Sequence, residues 1–578
     1  MGQLPEFNLK WLLYGAGFDN LGKNGLYERE ILREINPDEV LLKVDAVSLC
    51  FSDTKVVRMG NEHPRMIGRN LQTDPVVLSH ELSVQVVEAG EQRKSSFPIG
   101  SKYIVQPDIY YNGMPKTMGY VIDGALQQFI IAGREILDGD EGCNLLPMKE
   151  GVGYSEAALC EPWSCVEASY CIPYRRNLKG NGTALFIGNE DMNGETYTLG
   201  GLITENHSPK LIIASKISGE LLYELKEISQ RTGVDFIEEN HVKKWSHINE
   251  KYTNSKGFDD IIMLGTPEAR DLEETSEMLA KSGIFAIVAQ KPMRQKTNID
   301  VGALHYDGIL FTGTTGNSIM AAYSDPPSIE LPPGGSVWMA GAGGPLGQMH
   351  TQRSCEKNDG PSKILVTDID DNRLNNSKEK FGNLAGDKGI ELEYVNPRNA
   401  SAEEWEQTVE KMTGNGQFDY IVLLASVIEL ARESFGRLKP GGVVNFFAGI
   451  PKGNKIPVDV SNCYMHRQRW IGSSGTSIAF MNKILKKIED KTLNANRAVA
   501  AIGGMNAARE GLMDVAQSAK PGKIIIYPQI NFPLTGISDL KDLMPAVAAK
   551  LEDGVTWTNE AEEELLSTIG SNGTEYAK

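Results

Sequence analysis

The stretch "GSVWMAGAGGPLG" (335–347) decides how this chain is read, because the chain holds it twice. Its partner is "GTALFIGNEDMNG" (182–194), an offset of 153 residues. The correspondence continues in order. "FDDIIMLG" (258–265) matches "FDYIVLLA" (418–425), and "SGIFAIVAQ" (282–290) matches "PGGVVNFFAG" (440–449). "IDVGALHYDGILFTGTTGNS" (299–318) matches "VDVSNCYMHRQRWIGSSGTS" (458–477), with the offset drifting only to 160 and 159. In both stretches apolar runs alternate with helical ones, the mark of βαβ units and a parallel sheet. The expected fold class is α/β, with two tandem doubly wound, Rossmann-like domains at 180–330 and 334–480. The Pro/Gly-rich "DPPSIELPPGG" (325–335) links them.

The later copy has what a dinucleotide fold requires. Gly341, Gly343 and Gly347 permit a tight turn, bare backbone for a pyrophosphate and close helix packing. Gly344 and Leu346 belong to the same contact loop. "KILVTDIDDNRL" (363–374) ends its apolar run on Asp368, a carboxylate able to take both ribose hydroxyls and to repel a 2′-phosphate, which predicts NAD over NADP. Arg373 is expected on the adenine side. In the earlier copy Glu190 and Asp191 stand in the loop and Ser215 replaces the acid. That copy is expected to hold no dinucleotide, and Lys216 does not restore one.

Ahead of the repeat, residues 38–135 carry short β-type runs punctuated by Gly and Pro, a small mostly-β domain. Three segments in or beside it offer metal ligands: Cys50 in "VSLCFSDTK", His80 and Glu81 in "VVLSHELSV", and Cys160, Glu161 and Cys165 in "AALCEPWSCV". A thiolate, an imidazole and a carboxylate from separate segments suit a catalytic Zn²⁺ with an open position.

The order C-x-S-D, H-E, E-P and then a Rossmann domain resembles the zinc-dependent medium-chain dehydrogenase/reductases. "SDTKVV", "EHPR", "GYVIDGALQQF" and "GKIIIYPQ" are most similar to the polyol and sugar dehydrogenases, the sorbitol dehydrogenase and L-sorbose-1-phosphate reductase types included. The resemblance implies a GroES-like catalytic domain at 1–178, completed by about 485–530, and an acidic C-terminal appendage at 531–578. It implies one zinc ion held by Cys50, His80 and Glu161, with Cys160 the alternative to Glu161. Glu81 and Asp53 lie beside the metal, and Ser52 is the hydroxyl of the proton relay. The chain departs from the family in three ways. No cysteines stand near 103–118 for a second, structural zinc, Lys55 takes the place of a relay histidine, and the Rossmann domain is duplicated.

The implied reaction is transfer of hydride between NAD(H) and a secondary alcohol or ketone of a polyol, sugar or sugar phosphate. Lys55, Arg58, His63, Arg65 and Arg69 form a cluster able to catch a phosphate or carboxylate, with Tyr110, Tyr111, Lys116 and Tyr120 on the same cleft. Family sheets join edge to edge across a homodimer. Here 299–313 and 458–472 are expected to join within one chain, making a monomer with an internal pseudo-dimer. Two competing readings are a zinc-free NADPH quinone or enone reductase of the same superfamily, which a basic residue in place of Asp368 would favour, and a non-catalytic nucleotide-binding scaffold.

The bulk composition agrees. A net charge of −18 argues against nucleic acid or an acidic membrane as partner. No apolar run reaches a membrane span, and "MGQLPEFNLKWLLYGAG" lacks the parts of a signal peptide. Seven scattered cysteines do not make a disulfide framework and point to the cytoplasm.

Overall fold

The computed structural model describes residues 6–205, 207–324 and 328–572, so the first three residues of the expected linker and the last six of the chain lie outside it. In the N-terminal region "VLLKVDAVS" folds as the central strand Val40–Ser48, buried along nearly its whole length. It pairs antiparallel with Glu81–Ala89 on one side, and with Phe129–Ala132 and Lys523–Tyr527 on the other. Val499–Gly504 and Thr535–Gly536 extend the same sheet. The last part of the chain is therefore built into the β region. Trp557, Ala561 and Leu565 are buried in its core, and Glu562 accepts the Tyr154 and Ser155 amides and the Tyr527 hydroxyl.

The two copies form two six-stranded parallel sheets of one topology. In the first, the strand order is Asp235–Glu238, Leu211–Ser215, Thr183–Gly188, Phe258–Leu264, Leu279–Val288, Leu310–Thr314. In the second it is Glu391–Val395, Lys363–Thr367, Ser336–Ala340, Phe418–Leu423, Leu438–Phe446, Arg469–Gly472. Both read 3-2-1-4-5-6, the doubly wound order, with "TALFIG" and "SVWMA" buried at every residue as strands covered on both faces must be.

One element separates the copies. The helix Pro345–Glu356 comes after the glycine loop in the second. In the first, the described residues among the 22 between Thr183–Gly188 and Leu211–Ser215 form turns and two isolated bridges, Thr198 with Ser318 and Thr204 with His207. Gly200 and Gly201 take φ of 62° and 86°, left-handed values that end helical propagation. The segment is anchored instead by Tyr197, Leu199, Leu202 and Ile203 in the sheet's core.

The edges expected to meet do meet. Thr297–Asp300 pairs antiparallel with Lys455–Val458, Ile299 opposite Ile456. Arg469 Nη1 donates to Thr312 Oγ1 at 2.9 Å across the seam, and Phe311 packs on Trp470 with ring centroids 5.8 Å apart. One hydrophobic cluster runs through both sheets, so the two edges that face each other are covered.

Candidate functional site

Cys50 leaves the strand Val40–Ser48 and caps the helix Phe51–Met59. Three residues into that helix, buried Asp53 accepts the Cys50 amide at 3.1 Å, the Ser79 amide at 3.1 Å and the Ser79 hydroxyl at 2.7 Å. Ser79 has φ of 71°, a strained value for serine, and it turns the chain so that His80 faces Cys50. His80 Nδ1 lies 3.6 Å from Asp53 Oδ1, an ion-pair distance with no closer hydrogen-bond partner. Burial opposes ionisation of both groups. Their mutual attraction outweighs it, holding the Asp53 carboxyl below its ordinary value and the His80 imidazole well above. Asp53 thus clamps together the two segments that carry Cys50 and His80.

Ligand atoms of Cys50, His80 and Glu81 lie within 4.8 Å of one another, a donor set that fits a zinc ion. Ser52 Oγ donates to Cys50 Sγ at 2.9 Å. Both oxygens of Glu81 accept from Lys523 Nζ, at 2.6 and 2.7 Å, in a pair almost wholly buried. Glu161, expected as the third ligand, is not part of this cluster. It is buried on the helix Cys160–Ala168, where Cys165 Sγ donates to its Oε1 at 3.4 Å. Burial pushes its carboxyl up to about 7, against the pull of His80. Cys160, the alternative, has no exposure and points into the hydrophobic core, where burial also raises its thiol pKa.

The second copy's loop is shaped for a phosphate. Gly341 has φ of 76°, and a Cβ there would stand 2.5 Å from the Ala425 Cβ. A Cβ on Gly343 would meet the Asp368 Cγ at 2.7 Å. At Gly344, the N-cap of Pro345–Glu356, a Cβ would meet nothing within 4 Å, and no side chain caps the helix. Its first amides, Leu346 among them, have no side-chain cap, and the positive end of the helix dipole lies there. Asp368 accepts the Gly343 amide at 2.8 Å and the Asp370 amide at 3.1 Å, leaving lone pairs for ribose hydroxyls. Arg373 donates to the Ser518 carbonyl at 2.7 Å, tying this domain to the β region. These residues fit a dinucleotide. In the first copy Asp191 accepts the Thr266 amide and hydroxyl at 2.6 and 2.7 Å and so closes its own loop.

Residues 36–137 match the alcohol dehydrogenase GroES-like domain family. An uncharacterised Escherichia coli K12 protein, YggP, is 30% identical over 43% of this chain and 59% of its own length. L-sorbose 1-phosphate reductase of Klebsiella pneumoniae is 25% identical over 41% of this chain and 55% of its own. These two matches cover less than two thirds of those relatives. Mannitol-1-phosphate 5-dehydrogenase of Aliivibrio fischeri is 22% identical over 93% of both chains. Residues 36–137 therefore carry the GroES-like domain of the alcohol dehydrogenases.

The rest of the cleft corrects the expected cationic cluster. Arg69 is a strut, 8% exposed, bonded to Asp74, Asp123 and three carbonyls. Arg65 pairs with Asp108 at 3.1 Å and lies over the Tyr120 ring, which also packs on His63 and His80. Lys55 has no ion pair among the described residues; burial lowers its pKa and the Cys50 thiolate opposes that. Lys55, His63, Arg65 and Tyr120 therefore flank the cluster. Tyr110 and Tyr111 form an outlying hairpin with Met114–Pro115. Sequence patterns alone do not mark Ser79 or Lys523. The one signal for Lys523 is a lysine opening the otherwise apolar run "KIIIY".

Proposed function

We propose that the protein is a zinc- and NAD-dependent dehydrogenase of a polyol phosphate, working in the cytoplasm as a monomer. The observation that carries this reading is the cluster of Cys50, His80 and Glu81 in a chain that keeps one phosphate loop with its acid, Asp368. The phosphorylated substrates named for two relatives agree with the cations Lys55 and Arg65 beside the cluster. Seven unpaired thiols suit a reducing compartment, and no helix among the described residues is long and apolar enough to cross a membrane.

Cys50 and His80 would hold the ion. Both oxygens of Glu81 accept from Lys523, whereas Glu161, outside the cluster, meets only the Cys165 thiol among the described residues, on one oxygen, so Glu161 is the carboxylate assigned as third ligand, with Glu81 beside the ion. Zinc supplies Lewis acidity toward the substrate oxygen, and NAD supplies the two-electron couple. Ser52, poised on Cys50 Sγ, would relay the proton that the substrate hydroxyl gives up, its Oγ taking that proton while its own O–H proton passes on to solvent. Asp53 keeps Cys50 and His80 in register. Asp368 takes the ribose hydroxyls, and its charge excludes a 2′-phosphate.

The test is metal analysis of the purified protein with NAD and NADP reduction measured over polyols and their phosphates. One zinc per chain and NAD-dependent turnover of a polyol phosphate are expected, both lost in Cys50→Ser. Glu161→Gln should release zinc, whereas the paired change Glu81→Gln with Lys523→Met should keep it. A metal-free protein that still turns over, or a preference for NADP, overturns the reading.

A further inference from the structure

The first copy keeps its edge against the second although it has lost its own loop. The helix Val301–Tyr306, capped by Asp300, lies across the carboxyl ends of the second copy's strands, the side on which doubly wound sheets bind ligands. A Cβ on Gly472 would stand 2.8 Å from the His305 Cα, and one on Gly449 would stand 2.4 Å from the Tyr306 hydroxyl and 3.4 Å from His305 Nε2. The β region reaches the same place, since a Cβ on Gly475 would meet Asp108 Oδ2 at 2.6 Å. Three parts of the molecule converge there.

We propose that His305, carried by the copy without a phosphate loop, accepts a hydrogen bond from a hydroxyl of the substrate bound to the other copy. This rests on the polyol reading above and names who selects the polyol. His305 Nδ1 lies 3.0 Å from the Phe446 carbonyl oxygen. A carbonyl only accepts, so the proton sits on Nδ1 and the neutral ring leaves a lone pair on Nε2. The side chain is half-buried, and Tyr306 braces the ring edge-on with centroids 4.7 Å apart. Burial pushes the imidazole down to about 4; the Phe446 carbonyl opposes this, and Lys55 and Arg65 add to it from across the cleft. Lys55 and Arg65 are donors only, matched to a phosphate; a polyol chain also needs an acceptor, and His305 provides one.

The repeat supplies an internal control. Its offset places His305 over Tyr464 and Gly313 over Gly472. Tyr464 docks in the mirror position, against Gly313, but is 2% exposed and spends its hydroxyl on the Lys291 carbonyl at 2.8 Å. On the side without a cofactor loop the seam residue is used up by docking; on the side with one it keeps a nitrogen over.

The test compares the full chain, loaded with zinc and NAD, with His305→Leu and His305→Gln. For His305→Leu, KM for the polyol phosphate should rise roughly three- to tenfold, the worth of one hydrogen bond, with kcat within about twofold. His305→Gln should recover part of it. Calorimetric binding of the same polyol phosphate, and of the unphosphorylated polyol, should weaken by the same factor. Unchanged KM and Kd with a lowered Tm would assign His305 to docking alone and overturn the inference. A wild-type protein that binds zinc and NAD but none of the polyols overturns the proposed function, and this inference with it.

Discussion

The two parallel sheets of this chain share strand order, seam and offset, and they differ in the segment that leaves the first strand. The second copy turns on glycines into the helix Pro345–Glu356; the first puts Glu190 and Asp191 in the turn and forms no helix there among the described residues. A doubly wound sheet is thus stable without its phosphate helix if apolar side chains fill the helix's place, as Tyr197, Leu199, Leu202 and Ile203 do. Cofactor binding is then a property of a few residues grafted on the sheet, not of the sheet.

The largest effect expected is from giving the second copy the first copy's residues. Gly344→Asp sets a carboxylate at a helix N-terminus, where the fold tolerates it but a pyrophosphate does not. NADH binding monitored by fluorescence should weaken by at least about 100-fold. Asp368→Ser should cost roughly tenfold and relax the preference against NADP. Ser215→Asp in the first copy should create no second site; a second NADH bound there would break the comparison.

Next comes the seam. Ile299→Ala should cost about 2–5 kcal/mol, because Ile299 is buried opposite Ile456. Hydrogen exchange at 297–300 and 455–458 should rise together. If only one strand loosens, the copies are not held as one pair.

A smaller, pH-dependent effect separates the outer helices. Lys380, on the second copy's helix Asp371–Asp387, is buried and donates to the Val499 carbonyl at 3.1 Å, and burial lowers its pKa to about 7. Its counterpart in the first copy, Glu227, is exposed. Between pH 7 and about 10.4 the unfolded chain holds the Lys380 proton that the folded chain has lost, so this group's penalty is full below about pH 7 and fades as pH rises toward 10.4. The folded state binds fewer protons than the unfolded state across this window, so stability rises with pH there, and the charged, buried lysine costs most at pH 7 and below. Lys380→Met should therefore raise Tm by roughly 2–8 °C at pH 6, with the gain shrinking toward pH 10. Glu227→Met should show no such trend.

The smallest is Thr266→Ala, which opens the Asp191 clasp of the first copy. It should cost about 1 kcal/mol and leave NADH binding unchanged.

Much of this was legible in the chain. The sequence repeat predicted two sheets of one topology, and the loop and Asp368 marked the copy that turns on glycines into a helix, because glycine turns and strand-end acids are local features. Cys50 and His80 were legible for the same reason, each next to a strand. Only tertiary structure decided the rest. The clamp of Glu81 by Lys523 joins residues 442 positions apart, the engaged state of Glu81 depends on it, and Glu161 stands outside the cluster, beside Cys165 of its own helix. His305 reads as one more residue of a seam until folding lays it on the other copy's strand ends. Periodicity and turn chemistry act over a few residues and are written in order along the chain. Which charge is paired, and which nitrogen is left over, depends on distances that exist only once the chain has closed on itself.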